Sequence, residues 1–110
     1  MKQGDIWMVN LNPTQGSEQA GKRPFVVISG DLLNDSISIV IGCPLTTTIR
    51  HLRSNLVLTA TDDNGLSAPS EVLTHQIRSI TKSRFKNKLG RISTEQLETI
   101  HSYLFKLLTY

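Results

Sequence analysis

A chain of 110 residues with 38% hydrophobic residues and a mean hydropathy of −0.14 can bury one core and is read as a single domain over residues 1–110. It has no run of about 18 apolar residues to span a bilayer, and Met1-Lys2-Gln3-Gly4-Asp5 passes straight into a strand pattern without an apolar leader, so the expected location is the cytoplasm, with no membrane contact. The net charge of +3 permits an anionic partner, and a lone Cys43 excludes an internal disulfide.

In chain order, Asp5–Leu11 sets Ile6 and Met8 against Trp7, Val9 and Leu11 and predicts a first strand with both faces at least partly covered. Asn12-Pro13-Thr14 ends it as a turn. Gly16–Arg23 is then a charged, glycine-bounded loop with one carboxylate and two cations. Pro24 fixes φ and lacks an amide donor, so the loop stops there. Pro24–Ser29 is the second strand, buried on both faces because Phe25, Val26, Val27 and Ile28 run together without polar alternation. Arg23 thus stands at the mouth of a rigid strand, where a planar guanidinium fork suits phosphate.

Gly30–Asp35 predicts a short helical turn or tight loop, and Ile37–Cys43 a third, central strand whose apolar flank makes Cys43 a buried thiol rather than a nucleophile. Pro44–Ser54 is a second chemically dense loop, carrying three threonines and the cationic candidates Arg50, His51 and Arg53. Asn55–Thr59 predicts a short strand, and in Thr61–Ala68 the pair Asn64-Gly65 is a hairpin signal. Glu71–Ile80 is read as one strand. Thr81–Lys86 is a short connection, and Lys88–Ile92 a strand whose Gly90 marks a bulge.

Ser93 opens a helix, with Gln96 completing a capping box. Leu97, Ile100, Leu104, Leu107 and Leu108 form its apolar stripe, with His101 at the stripe's edge in a core-flanking place. Six or seven short strands and one C-terminal helix predict a mainly β protein, a small bent β-barrel or half-open sheet with the helix laid on it. Arg23, Arg50, His51, Arg53, Arg78, Lys82, Arg84, Lys86, Lys88 and Arg91 fall mostly on loops and strand ends. They form either a basic surface for nucleic acid or an acidic protein, or an ordinary solvated face. No metal site is expected, since no His, Cys or carboxylate cluster has zinc spacing, and no nucleotide-type glycine loop occurs.

The strings GDIW, NPTQGSEQAGKRP, PLTT and HQIRSITKSR together resemble the MazF/PemK family of toxin–antitoxin toxins, with the likeness running from Gly4 to the terminal helix and most specific over Gly4–Ser29. The resemblance implies an SH3-like barrel of the MazF/CcdB type that forms a homodimer. It implies a sequence-selective endoribonuclease on single-stranded RNA that uses no metal or cofactor. It also implies neutralisation by a cognate antitoxin whose acidic tail covers the RNA groove. On the matching positions, the family's arginine falls on Arg23, its threonine after the third strand on Thr46, and its loop glutamate on Glu18. Where members often carry aspartate before the glutamine, this chain has His75, so that aspartate's role does not transfer.

RNA cleavage of that kind uses the 2′-hydroxyl as nucleophile and needs a base, an acid and donors for the charged phosphorane. Arg23 suits the last role, because a guanidinium holds its proton. Thr46 and Thr47 can donate to nonbridging oxygens, and Glu18 and His75 are the alternative proton carriers. Ser17, Gln19, Lys22, Arg50, His51, Arg53, Gln76 and Arg78 are the RNA-contact candidates, while Trp7 is read as core rather than a base-stacking platform. Related barrels also serve gyrase-directed toxins, and a plain nucleic-acid-binding module is a further reading. Arg23 and Thr46 favour cleavage.

Overall fold

β-branched and aromatic residues fix the first three strands, β1 (Asp5–Asn10), β2 (Lys22–Val27) and β3 (Ile39–Thr46), as antiparallel neighbours. The computed structural model of the protein describes residues 1–12 and 21–110. The remaining strands are β4 (Val57–Leu58), β5 (Ser70–Val72), β6 (Arg78–Thr81) and β7 (Phe85–Arg91). They complete a sheet of order β4-β5-β3-β2-β1-β7, with β6 also paired to β3. The sheet curls into an open half-barrel; a short helix, α1 (Asp31–Ser36), precedes β3, and a long one, α2 (Thr94–Thr109), ends the chain.

Alternation along the strands builds a core on each face of the sheet. Ile6, Val26, Cys43, Leu45 and Val72 face α2 and meet Ile100 and Leu104. Val9, Leu11, Phe25 and Ile80 cluster on the opposite face, with half-buried Trp7 and Phe85 against them. Covered on both sides, the strands have the polarity expected of their apolar runs. Burial pushes the Cys43 thiol up to about 12, which keeps it protonated and unreactive.

The capping box at Ser93 is present, with Ser93 Oγ accepting from the Gln96 amide and Gln96 Oε1 from the Ser93 amide. The apolar stripe is shorter than expected. Leu108 is 79% exposed, and Leu107 is also exposed, so the buried part of α2 ends at Leu104. His101 is exposed, its ring 3.5 Å from Gln3 Nε2. Among the described residues no helix is long and apolar enough to cross a membrane.

The Asn64-Gly65 pair does not make a two-residue hairpin, since β4 and β5 are joined by residues 59–69. Asn64 instead folds its own loop, with Oδ1 accepting from the Thr61 and Leu66 amides and Nδ2 donating to the Thr59 carbonyl. Gly65 has φ +67° and lies so close to β7 that a Cβ would collide with the Leu89 carbonyl. The expected irregularity near Gly90 is there: the β1–β7 register slips between Ile6↔Gly90 and Trp7↔Lys88.

Two boundary corrections shape the functional face. β3 runs on through Pro44 to Thr46, beyond the predicted end at Cys43, because the Pro44 carbonyl accepts from the Leu73 amide as pairing passes from β6 to β5. The predicted single strand Glu71–Ile80 is two strands, β5 and β6, separated by a 3₁₀ turn at Thr74–Gln76. Leu45 lies opposite Val72 and Gly42 opposite Arg78, so three steps along β3 correspond to six along its partner. The surplus residues are wound into that turn.

Candidate active site

The register places a row of chemistry across three strands. Thr46 at the end of β3 is paired with Glu71 on β5. On its other side Phe25 of β2 is paired with Pro44, two residues before Thr46, and the β2–β3 pairing ends there. Residues two apart share a face, so Thr46 and Glu71 stand side by side and Arg23, two residues before Phe25, lies on the same face of β2. Arg23 is exposed where β2 begins, whereas Thr46 is 9% exposed. Thr46 Oγ1 accepts from the Thr48 amide at 3.1 Å, which leaves its own hydrogen available to donate.

A pocket of about 330 Å³ lies over this row, lined by Arg23, Thr46, Thr48, Arg50, Leu52, Glu71, Leu73, His75 and Gln76. The second dense loop forms one wall. The 3₁₀ turn forms the other, and it is this turn, absent from the sequence reading, that brings His75 and Gln76 to the site. Arg23, Thr46, Arg50, His75 and Gln76 are thus gathered around one cavity from three separated stretches of the chain.

The other candidates are placed differently. Thr47 and Lys22 are exposed beside the pocket, outside its lining. His51 is exposed with φ 54°, and Arg53 lines a separate groove with Tyr103 and Lys106. Arg78 lies on β6 opposite Gly42. Ser17, Glu18 and Gln19 fall outside the described residues.

Glu71 is the functional-face residue that the sequence reading passed over. It is 1% exposed, yet charged. Its Oε1 accepts the Arg50 and His51 amides, each at 2.8 Å, and its Oε2 accepts Asn55 Nδ2 at 2.8 Å and the Leu52 amide at 3.4 Å. Burial alone would push such a carboxyl up. The bonds from Asn55, Arg50, His51 and Leu52 outweigh it and hold Glu71 below its ordinary range. The available signal was a lone glutamate between Ser70 and Val72 in a short apolar strand, since a buried carboxylate needs partners. Among the described residues no group of three or more His, Cys, Asp or Glu side chains is arranged to hold a metal ion.

Residues 2–108 match the family model described as PemK-like, MazF-like toxin of type II toxin–antitoxin system. The chain is similar to the endoribonuclease MazF9 of Mycobacterium tuberculosis, at 32% identity over 94% of this chain and 92% of that protein. It is also similar to the endoribonuclease MazF of Staphylococcus saprophyticus, at 33% identity over 93% and 86%. In the crystal structure of MazE-MazF (Form-II) from Deinococcus radiodurans, a chain 27% identical superposes with a TM-score of 0.79, covering 98% of this chain and 95% of that one. With the sheet order, the terminal helix and the sequence match in agreement, the protein belongs to the PemK-like, MazF-like toxins of type II toxin–antitoxin systems.

Proposed function

We propose that this protein is the endoribonuclease toxin of a toxin–antitoxin pair and that it cuts single-stranded RNA at the pocket between β2, β3 and the 3₁₀ turn. The observation that carries the reading is the shared pocket wall of Arg23 and Thr46, a durable cation and a hydroxyl that can reach one phosphate. In the proposed reaction the 2′-oxygen forms a bond to phosphorus as it loses its proton to a base, and the P–O5′ bond breaks as O5′ takes a proton from an acid. The products are a 2′,3′-cyclic phosphate and a 5′-hydroxyl.

Arg23 neutralises the charge that develops on the nonbridging oxygens, and Thr46 donates to one of them and fixes the phosphorus in line. His75, facing the same cavity, is the proton carrier supported by placement, with Arg50 and Gln76 holding the flanking nucleotides. The toxin acts in the cytoplasm as a homodimer, and an acidic antitoxin segment competes with RNA for the basic groove. The solved MazE-MazF assembly supports, by likeness, a protein partner for the toxin.

Purified protein incubated with single-stranded RNA in EDTA is expected to give cuts with cyclic-phosphate ends. Thr46→Ala is expected to lower kcat about 100-fold. His75→Ala is expected to lower kcat and flatten the acid side of the pH–rate profile, the mark of a lost proton carrier. Intact RNA with and without EDTA would overturn the nuclease reading and leave a toxin that acts by binding.

A further inference from the structure

The loop between β3 and β4 supplies Thr48, Arg50 and Leu52 to the pocket, yet residues 47–56 belong to no strand or helix. One side chain gathers the middle of the loop. Three successive amides, from Arg50, His51 and Leu52, converge on the Glu71 carboxylate, and the positive φ of His51 lets the backbone curl around it. Glu71 is then linked onward. Asn55 Nδ2 donates to Glu71, while Asn55 Oδ1 accepts from the Thr74 amide at 3.0 Å, and the Thr74 hydroxyl donates to the neighbouring Ser54 carbonyl at 2.5 Å. Thr74 opens the 3₁₀ turn that presents His75 and Gln76.

We infer that Glu71, joined through Asn55 to Thr74, is a positioning residue that sets both walls of the RNA pocket, the loop with Arg50 and the turn with His75, before substrate arrives. The inference rests on the nuclease reading above and adds a part to it. Glu71 is the carboxylate within the pocket lining, and a direct role as base is the obvious rival. Its hydrogen bonding argues against that. Two carboxylate oxygens offer about four lone-pair sites, and four donors already occupy them, leaving none for the proton of a 2′-hydroxyl. The same four donors offset a negative charge that would otherwise face the RNA phosphate from the strand next to Thr46. Glu71 therefore acts through the loop and the turn, without touching substrate.

The test combines cleavage kinetics on a single-stranded RNA oligonucleotide, affinity for its uncleavable 2′-deoxy analogue, and amide spectra of the RNA-free protein. Glu71→Gln keeps the shape but turns an amide donor toward backbone donors, so it should free the loop. The expected result is a rise of about 100-fold in KM and in Kd for the analogue, with a smaller change in kcat. The Arg50, His51 and Leu52 amides should shift and exchange faster with solvent. Asn55→Ala, which leaves the carboxylate and the three amides in place, should disturb His75 and Gln76 and raise KM, and it serves if Glu71→Gln does not fold. Thr74→Ser should retain the wild-type values, whereas Thr74→Val should behave like Asn55→Ala. Wild-type KM and amide exchange in both Glu71→Gln and Asn55→Ala would overturn the inference, as would a fall in kcat alone, which would mark Glu71 as a proton carrier. Should the wild-type protein leave RNA intact, the nuclease reading fails, while the amide spectra and analogue binding still decide whether Glu71 presets the pocket.

Discussion

Arg23→Ala is expected to lower kcat/KM for single-stranded RNA about 10³-fold, the size of effect seen when a preorganised charge is removed from a developing oxyanion. The substitution deletes the fixed cation beside Thr46 and leaves a water-filled gap where the phosphorane would form. Arg23→Lys should recover only part of the loss, because an ammonium is a point charge and does not reproduce the two-pronged grip of a guanidinium. Arg23 lies at the exposed start of β2, so the unfolding transition of either variant should stay near that of the wild type. Initial rates on a fluorogenic RNA in EDTA, with circular dichroism on the same samples, provide the check. An Arg23→Ala rate within tenfold of wild type would remove this residue from the chemistry.

Phe25→Ala is expected to destabilise the fold by about 3–5 kcal/mol, the range for a large aromatic deleted from a close-packed core. Phe25 is fully buried, and its ring stands edge-on to Phe85 at 5.7 Å and 90°, while Phe85 in turn meets Trp7 at 6.0 Å. Alanine would remove the edge-on contact with Phe85 and open a cavity beneath the strand that carries Arg23 two residues earlier. Phe25→Leu should lose less, since it refills part of the volume. Urea unfolding is the measurement, with the midpoint lowered and the slope unchanged. A loss below about 1 kcal/mol would mean that the second core cluster contributes little to holding β2 in place.

The strands that were legible in the sequence are those whose pattern is local. Phe25-Val26-Val27 reads as a strand buried on both faces because no polar residue interrupts it, and it is one. The Ser93/Gln96 box marks the helix start because both partners of the cap lie three residues apart. Segment 71–80 was misread for the converse reason. Its apolar and polar residues fit a strand as well as they fit two strands and a turn, and the choice was made by β3, which offers pairing at two separated places. Leu107 and Leu108 continue a helical stripe, but burial also needs a surface packed opposite, and both remain exposed.

By itself the sequence determined the local parts: a mainly β chain, a capped terminal helix and a buried inert cysteine, whereas β2 begins at Lys22, ahead of the Pro24 that marks the expected end of the loop. Only the tertiary structure decided that Arg23, Thr46 and His75 share one cavity and that Glu71 ties its walls together. Hydrophobic periodicity and capping are written over a few residues, so they can be read along the chain. A strand register and a carboxylate bound by amides some twenty positions away exist only once the sheet has brought those segments together.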